Sequence, residues 1–220
     1  MNVLLSWSSG KDSAWALHML RQDPSVRIVG LLTTFNEVYD RVAMHAVRRS
    51  VVDAQAAAAG LPLWPVLIPS PCPNEVYEAR MRELMTRAHE AGINAVAFGD
   101  LFLEDVRQYR ESRMAGTGIA PTFPLWARPT RELAREMIAG GLRARITCLD
   151  PTKVDRALAG HEFDESFLDA LPPDVDPCAE RGEFHTCCYA GPMFRSPVPV
   201  ETGEIVERDG YVFTDLVLGG

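Results

Sequence analysis

Lysine is nearly missing from this chain. Of its 22 basic residues only Lys11 and Lys153 are lysines, and no stretch gathers enough arginine to form a basic tract. Against 30 acidic residues this leaves a net charge of −8, which repels a phosphate backbone and argues against nucleic acid as the main partner. The arginine bias itself fits a GC-rich, bacterial genome. Cysteine is sparse and odd in number: Cys72, Cys148, Cys178, Cys187 and Cys188, with no Cys-x-x-Cys pair. Reduced thiols are expected, and the pattern does not favour a structural zinc. Long hydrophobic runs are absent too. The apolar opening Met1 to Trp7 has no basic flank and stops at Ser8, too short for a signal peptide or membrane span, so the expectation is a cytoplasmic protein away from membranes. Internal repeats and low-complexity tracts are lacking as well.

What is present reads as a folded globular chain. Apolar residues make up 47% and charged residues 24% of 220 positions, enough for one large domain with an appendage. Short β-branched or apolar runs at Val3 to Trp7, Arg27 to Thr34, Leu63 to Ile68, Asn94 to Phe98 and Arg143 to Leu149 predict buried strands. Helical patterns fill the gaps at Ser13 to Arg21, Met44 to Ala59, Asn74 to Ala91 (with Asn74 as N-cap) and Thr130 to Ala139. This alternation implies an α/β fold, Rossmann-like, with a mostly parallel sheet and helices on both faces. Ligands in such folds bind beyond the carboxyl ends of the strands. After Asp150 the rhythm changes. A short helix near Asp164 to Leu171, a Pro-rich stretch at 172–177, and alternating segments broken at Thr202-Gly203 and Asp209-Gly210 predict antiparallel hairpins. The division expected is a binding domain over 1–150 and a small α+β subdomain over 151–220.

The most informative segment is Leu4-Leu5-Ser6-Trp7-Ser8-Ser9-Gly10-Lys11-Asp12-Ser13. A strand running into a small-residue turn and then a helix aims backbone N–H groups and the positive helix end at one spot. Lys11 can add a point charge and Ser13 a hydroxyl, so the loop suits a polyphosphate. It is neither a Walker A loop, whose defining positions hold Leu5 and Asp12 here, nor a Gly-x-Gly-x-x-Gly dinucleotide loop.

The hexamer Ser8 to Ser13 resembles the Ser-Gly-Gly-x-Asp-Ser signature of the PP-loop ATP pyrophosphatases, with Ser9 where that family carries Gly. The resemblance implies that the loop grips the β- and γ-phosphates of ATP and leaves the α-phosphorus open to attack, with pyrophosphate as leaving group. Further segments, spread over nearly the whole chain, resemble one branch, the diphthine–ammonia ligase family and its bacterial relatives. They are Met44-His45 through Gln55-Ala56 to Gly60-Leu61-Pro62, Gly99-Asp100 to Arg107 and Glu111, Pro124-Leu125-Trp126, and Cys178-Ala179-Glu180-Arg181-Gly182-Glu183-Phe184-His185-Thr186. The last is similar to the family's Cys-Gly-Glu-Gly-Gly-Glu-Tyr-Glu-Thr, with Ala179 for Gly and His185 for Glu. The eukaryotic enzymes also lack a histidine at the His45 position.

The family likeness implies an adenylating amide-forming ligase. A carboxylate attacks the α-phosphorus, and ammonia then displaces AMP. Such chemistry needs donors for the developing phosphate charge, a metal-binding carboxylate and a base. Lys11 with the loop amides fits the first role, and Asp12 or Asp100 the second as magnesium ligands. Glu183 and His185 are candidates to hold or deprotonate an ammonium ion or to orient the acceptor. Ser8, Ser9, Gly10, Lys11, Asp12, Ser13, Thr33, His45 and Gly99 make up the expected nucleotide-binding set, and Lys11, Asp100, Glu183 and His185 the catalytic one. Each has a structural alternative: an Asx turn or helix cap for Asp100, a surface hairpin pair for Glu183 and His185, a helix-terminus role for His45, and a plain helix ion pair for Arg107 and Glu111. A thiol nucleophile at Cys178 stays open, whereas Cys187-Cys188 point to opposite faces of a strand and suit a shared metal poorly. Competing functions are a tRNA-modifying PP-loop enzyme, which needs a basic face, and a non-catalytic nucleotide-binding module. The expected partners are a small or protein-borne carboxylate and ammonia, with a homodimer as the assembly to test.

Overall fold

The computed structural model describes residues 1–42 and 45–219. Strand β1 (Asn2–Ser6) runs between β2 (Arg27–Asn36) and β5 (Ala95–Ala97), parallel to both. On the outer side of β2 lies β4 (Leu63–Ile68), parallel, and beyond β5 lies β6 (Ala120–Thr122), also parallel. The short β3 (Arg41–Val42) is the one antiparallel member of this six-stranded sheet, folded back on Phe35 and Asn36.

Alternation along β1 sorts the core, because successive side chains of a strand leave opposite faces. Val3, Leu5 and Trp7 meet helices α1 (Lys11–Leu20), α2 (Arg49–Ala59) and α5 (Thr130–Ala139) in one apolar cluster. Leu4 meets α3 (Asn74–Glu90) and α4 (Glu104–Met114) in the other, through Leu84, Met85, Ala88 and Met114. Helices therefore cover both faces of a mostly parallel sheet, the α/β class expected. None of the described helices is long and apolar enough to cross a membrane.

A second sheet holds β7 (Arg143–Leu149), β8 (Phe184–Ala190), β9 (Val200–Arg208) and β10 (Tyr211–Leu218) in the order β8-β7-β10-β9, all antiparallel. Between β7 and β8 sits the short helix α6 (Glu165–Ala170), capped by the Asp164 carboxylate on the Phe167 N–H. Ile146, Phe184, Cys187 and Val212 of this sheet join the same cluster as α1 and α2, so the two sheets share one core.

Several local expectations change. Arg143 to Leu149 is a strand, but its partners are β8 and β10, not the parallel sheet; a buried apolar run specifies a strand without specifying its neighbours. Thr202-Gly203 lies inside β9 and the turn falls at Asp209-Gly210 alone. Helix α2 starts at Arg49, because Val47 and Arg48 just before it pair with β3: Val42 N–H donates to the Val47 carbonyl and Arg41 bridges to Arg48. His45 thus lies in a turn, and Met44 falls outside the described residues. Asn74 is the first helical residue, with Pro73 as cap, since the Pro73 carbonyl accepts from Val76 and Tyr77.

Candidate active site

The carboxyl ends of β1 and β5 and the start of α1 form one side of a cavity of about 250 Å³, and the segment from Cys178 to Thr186 forms the other. Its walls include Ser8, Lys11, Asp12, Ser13, His45, Gly99, Asp100 and His185. Residues as far apart in sequence as Ser6 and Thr186 are therefore drawn to the place where α/β folds hold ligands.

The loop after β1 is held from below. Gln55 of α2 is fully buried, accepts from the Trp7 indole N–H at 2.9 Å, and donates to the carbonyls of Ser9 at 3.1 Å and Cys188 at 2.6 Å. The Cys188 N–H also donates to the Ser9 carbonyl, which ties the loop to β8. Ser9 adopts φ 71° and Ala179 φ 57°, the left-handed region that glycine occupies without steric cost. Both stand where the pyrophosphatase and ligase patterns carry Gly, so the backbone shape is kept and the strain accepted.

Helix α1 opens at Gly10 with no side-chain cap. The Lys11 N–H donates to Thr186 Oγ1 at 3.0 Å, while the amides of Asp12 and Ser13 complete the positive helix end. Gly99 makes this end possible: a Cβ there would lie 3.0 Å from the Asp12 carbonyl carbon and 3.1 Å from the Ser13 nitrogen. Side chains expected to face a ligand are partly engaged with the protein itself. Lys11 Nζ donates to Asp12 Oδ2 at 2.9 Å and to the Cys178 carbonyl, between the rings of Phe163 and Phe184. The Ser13 hydroxyl donates to the Gly10 carbonyl at 3.0 Å.

Two polar atoms of cavity-lining residues, Asp12 Oδ1 and His45 Nδ1, are buried without a partner, as is Ser9 Oγ in the loop before α1. Buried polar atoms are nearly always satisfied in folded proteins, so two such atoms on residues of one cavity wall call for an explanation. Burial lifts the Asp12 carboxyl above its ordinary range despite Lys11 beside it. A carboxylate oxygen with no donor suits a hard cation, and a helix start with open amides suits an anion.

The remaining expected residues divide. Asp100 lies in the cavity wall, paired with Arg110 of α4 (3.0 Å and 3.4 Å), whose guanidinium stacks on Phe98 at 4.4 Å. Thr33 is buried outside the cavity, its hydroxyl donating to the Trp7 carbonyl at 2.8 Å. Glu183 is also buried and turned onto its own loop, accepting from the amides of Arg181 at 3.1 Å and Asp176 at 3.5 Å. Arg107 and Glu111 form the plain i,i+4 pair at 2.8 Å, with Arg107 over Trp126. Cys178 donates weakly to the Thr130 carbonyl, and burial pushes its thiol pKa well up, which leaves little thiolate.

Besides Arg110, two features of the cavity were not singled out in the sequence. Glu180 lines the cavity and accepts from the amides of Leu101 at 2.7 Å and Phe102 at 3.3 Å; burial raises its carboxyl to about 7. Its place in the Cys178-to-Thr186 motif was the available signal. The second is the pairing of His45 with His185, whose rings stack 4.4 Å apart at 47°. Burial, then His185 and Lys11, lowers His45 to about 3, and burial and Lys11 lower His185 to about 4. Both are neutral near pH 7.

The whole arrangement depends on the first 120 residues meeting the Cys178-to-Thr186 segment, and comparison with known proteins divides the chain in the same way. Residues 1–120 match the diphthamide synthase N-terminal domain, and residues 129–215 match the diphthamide synthase C-terminal domain. The chain is 26% identical to the diphthine–ammonia ligase of Rattus norvegicus over 237 residues, covering 97% of this chain and 88% of that protein. It is 26% identical to the Homo sapiens diphthine–ammonia ligase with the same coverage, and 27% identical to that of Danio rerio, of which it covers 91%. With both halves of the chain matched and the two halves meeting at one cavity, this protein belongs to the diphthamide synthase family.

Proposed function

We propose that this protein is an ATP-dependent ligase that adenylates a carboxylate, releases pyrophosphate, and forms an amide when ammonia displaces AMP. The observation that carries the reading is the α1 start beside the orphaned Asp12 oxygen, closed over by the Cys178-to-Thr186 segment. The amides of the first turn would hold the phosphates, and Asp12, with Asp100 on the same wall, would hold magnesium, which supplies charge neutralisation at the phosphates. Lys11 orders the site: its ammonium fastens Asp12 and the Cys178 carbonyl together, which fixes the second wall against the first. Glu180, near neutral pKa and anchored on two amides, is placed to hold or release a proton inside the cavity. The relatives' name supplies diphthine as one acceptor; another carboxylate is the alternative where diphthine is not made. The net charge of −8 speaks for a small or protein-borne acid over nucleic acid, and a cytoplasmic location and a homodimer belong to the same reading.

The test is to incubate the protein with ATP, magnesium, ammonium and a panel of carboxylic acids and follow the products by phosphorus NMR. AMP and pyrophosphate appearing together with an amide is the expected result. ADP and inorganic phosphate as the sole products would overturn it.

A further inference from the structure

We propose that His45 and His185 together form the nitrogen-donor pocket of this enzyme, and that the pocket takes its donor as neutral ammonia instead of ammonium. The inference deepens the ligase reading above and rests on it. The two rings come from the turn before α2 and from β8, stack at 4.4 Å on the cavity wall, and lie against the residue that caps α1. A Cβ on Gly10 would be 3.4 Å from His45 Cε1 and 3.2 Å from the Thr186 carbonyl oxygen. His45 Nδ1 is buried with no partner. A neutral imidazole keeps one lone pair, so the pair can accept hydrogen bonds from the N–H groups of a small donor.

The charges around the rings decide which form of the donor fits. Lys11 of α1 lines the same cavity as both rings, and its charge disfavours a proton on either. The carboxylates nearby have other partners: Asp12 Oδ2 with Lys11, its open Oδ1 being the oxygen assigned to magnesium on the ligase reading, Asp100 with Arg110, Glu180 with the amides of Leu101 and Phe102, and Glu183 with those of Asp176 and Arg181. Burial and Lys11 hold both imidazoles in the uncharged state near pH 7. Surroundings that refuse a proton on an imidazole refuse an ammonium ion for the same reason. Ammonia also keeps the lone pair the reaction requires. Its nitrogen attacks the acyl carbon and the C–N bond forms. The C–O bond to AMP breaks with its electron pair, and the surplus N–H proton leaves to water, since burial and Lys11 keep both imidazoles from holding it. The family pattern carries Glu at the His185 position, and a carboxylate there would favour the cation.

The experiment is a titration of the full chain, labelled with nitrogen-15, with unlabelled ammonium chloride at constant ionic strength, read from the ring signals of His45 and His185. With ring pKa values of about 3 and about 4, neither titrates between about pH 7 and about pH 9, so movement reports the ligand. The expected result is a half-saturating total ammonium concentration that falls about tenfold for each pH unit, tracking the neutral form. In His185→Glu the His45 ring should respond at the same total concentration throughout. A pH-independent midpoint in the parent protein, or no movement of either ring, would overturn the inference. The readout needs neither ATP nor acceptor, so it is separable from the ligase reading, which pyrophosphate exchange into ATP tests in the presence of the panel of carboxylic acids. Exchange without a ring response removes the pocket and leaves the ligase; a ring response without exchange supports the pocket and removes the ligase.

Discussion

Single residues carry much of the tension in this site. Ser9 and Ala179 occupy left-handed backbone where the family patterns have Gly. The steric cost is about 1–2 kcal/mol for each, and glycine's greater freedom in the unfolded chain returns part of it. Ser9→Gly and Ala179→Gly are expected to stabilise the protein by about 0.5–1 kcal/mol each, measured as a shift of the urea midpoint at unchanged slope. Lys11 has the opposite character. Its ammonium is buried with Asp12, the Cys178 carbonyl and two aromatic faces as partners. Lys11→Ala strands the Asp12 carboxylate, with an expected loss of about 3 kcal/mol in stability. On the ligase reading it also slows pyrophosphate release about a hundredfold in the fraction that remains folded. Full-rate release from the folded variant would show that Lys11 has no part in the chemistry.

At the scale of elements, the site depends on where three of them touch. Gln55 on α2 satisfies the Trp7 indole after β1, the Ser9 carbonyl of the loop and the Cys188 carbonyl of β8. Gln55→Leu leaves the Trp7 indole N–H without its partner and removes one donor each from the Ser9 and Cys188 carbonyls, and should cost about 3 kcal/mol, read from equilibrium unfolding. Gly99 sets the approach of β5 to α1. In Gly99→Ala the new methyl meets the backbone of Asp12 and Ser13 at 3.0–3.1 Å, and backbone cannot swing aside as a flexible side chain does. The expected outcome is a helix start pushed out of place, with ATP affinity reduced at least about tenfold by calorimetry while the far-ultraviolet circular dichroism is retained. Affinity equal to that of the parent would mean the α1 amides do not hold the nucleotide.

The molecule as a whole should answer to acid through the same cavity. His45 and His185 have folded pKa values of about 3 and about 4 against 6.5 ordinarily. Below pH 6.5 the unfolded chain therefore binds protons that the fold refuses, and the stability present above that point is lost as pH falls toward 4, by at most about 1.4 kcal/mol per pH unit for each ring. Glu180 acts in the other direction: raised from 4.5 to about 7, it stabilises the fold at low pH and loses that contribution as pH rises through the interval. Urea unfolding at a series of pH values should show a shallower acid loss in His185→Asn and a steeper one in Glu180→Gln. Identical profiles in all three proteins would place the sensitivity elsewhere.

The α/β class, the order β1-α1-β2-α2-β4-α3-β5 and the Ser8-to-Ser13 loop were legible in the sequence, because hydrophobic periodicity, small turn residues and helix stops are local signals, whereas β3, α4 and β6 were not read as elements. Much of the cavity wall could also be named before any coordinates, residues 8–13 from the loop pattern and Gly99, Asp100 and the Cys178-to-Thr186 motif from the family resemblance. Side-chain direction was not. Glu183 turns onto its own loop and Thr33 onto Trp7, while Glu180 and Arg110 face the cavity. The sheet that β7 joins was likewise invisible, since a buried strand reads alike beside any partner. Sequence by itself determined which residues could carry phosphate chemistry and which family pattern they follow. Tertiary structure alone decided that His45 and His185 stack, that Gln55 binds three elements at once, and that Asp12 and His45 keep unpartnered atoms. Those outcomes arise from long-range packing and burial, which set each polar group's partners and charge state only once the chain has closed on itself.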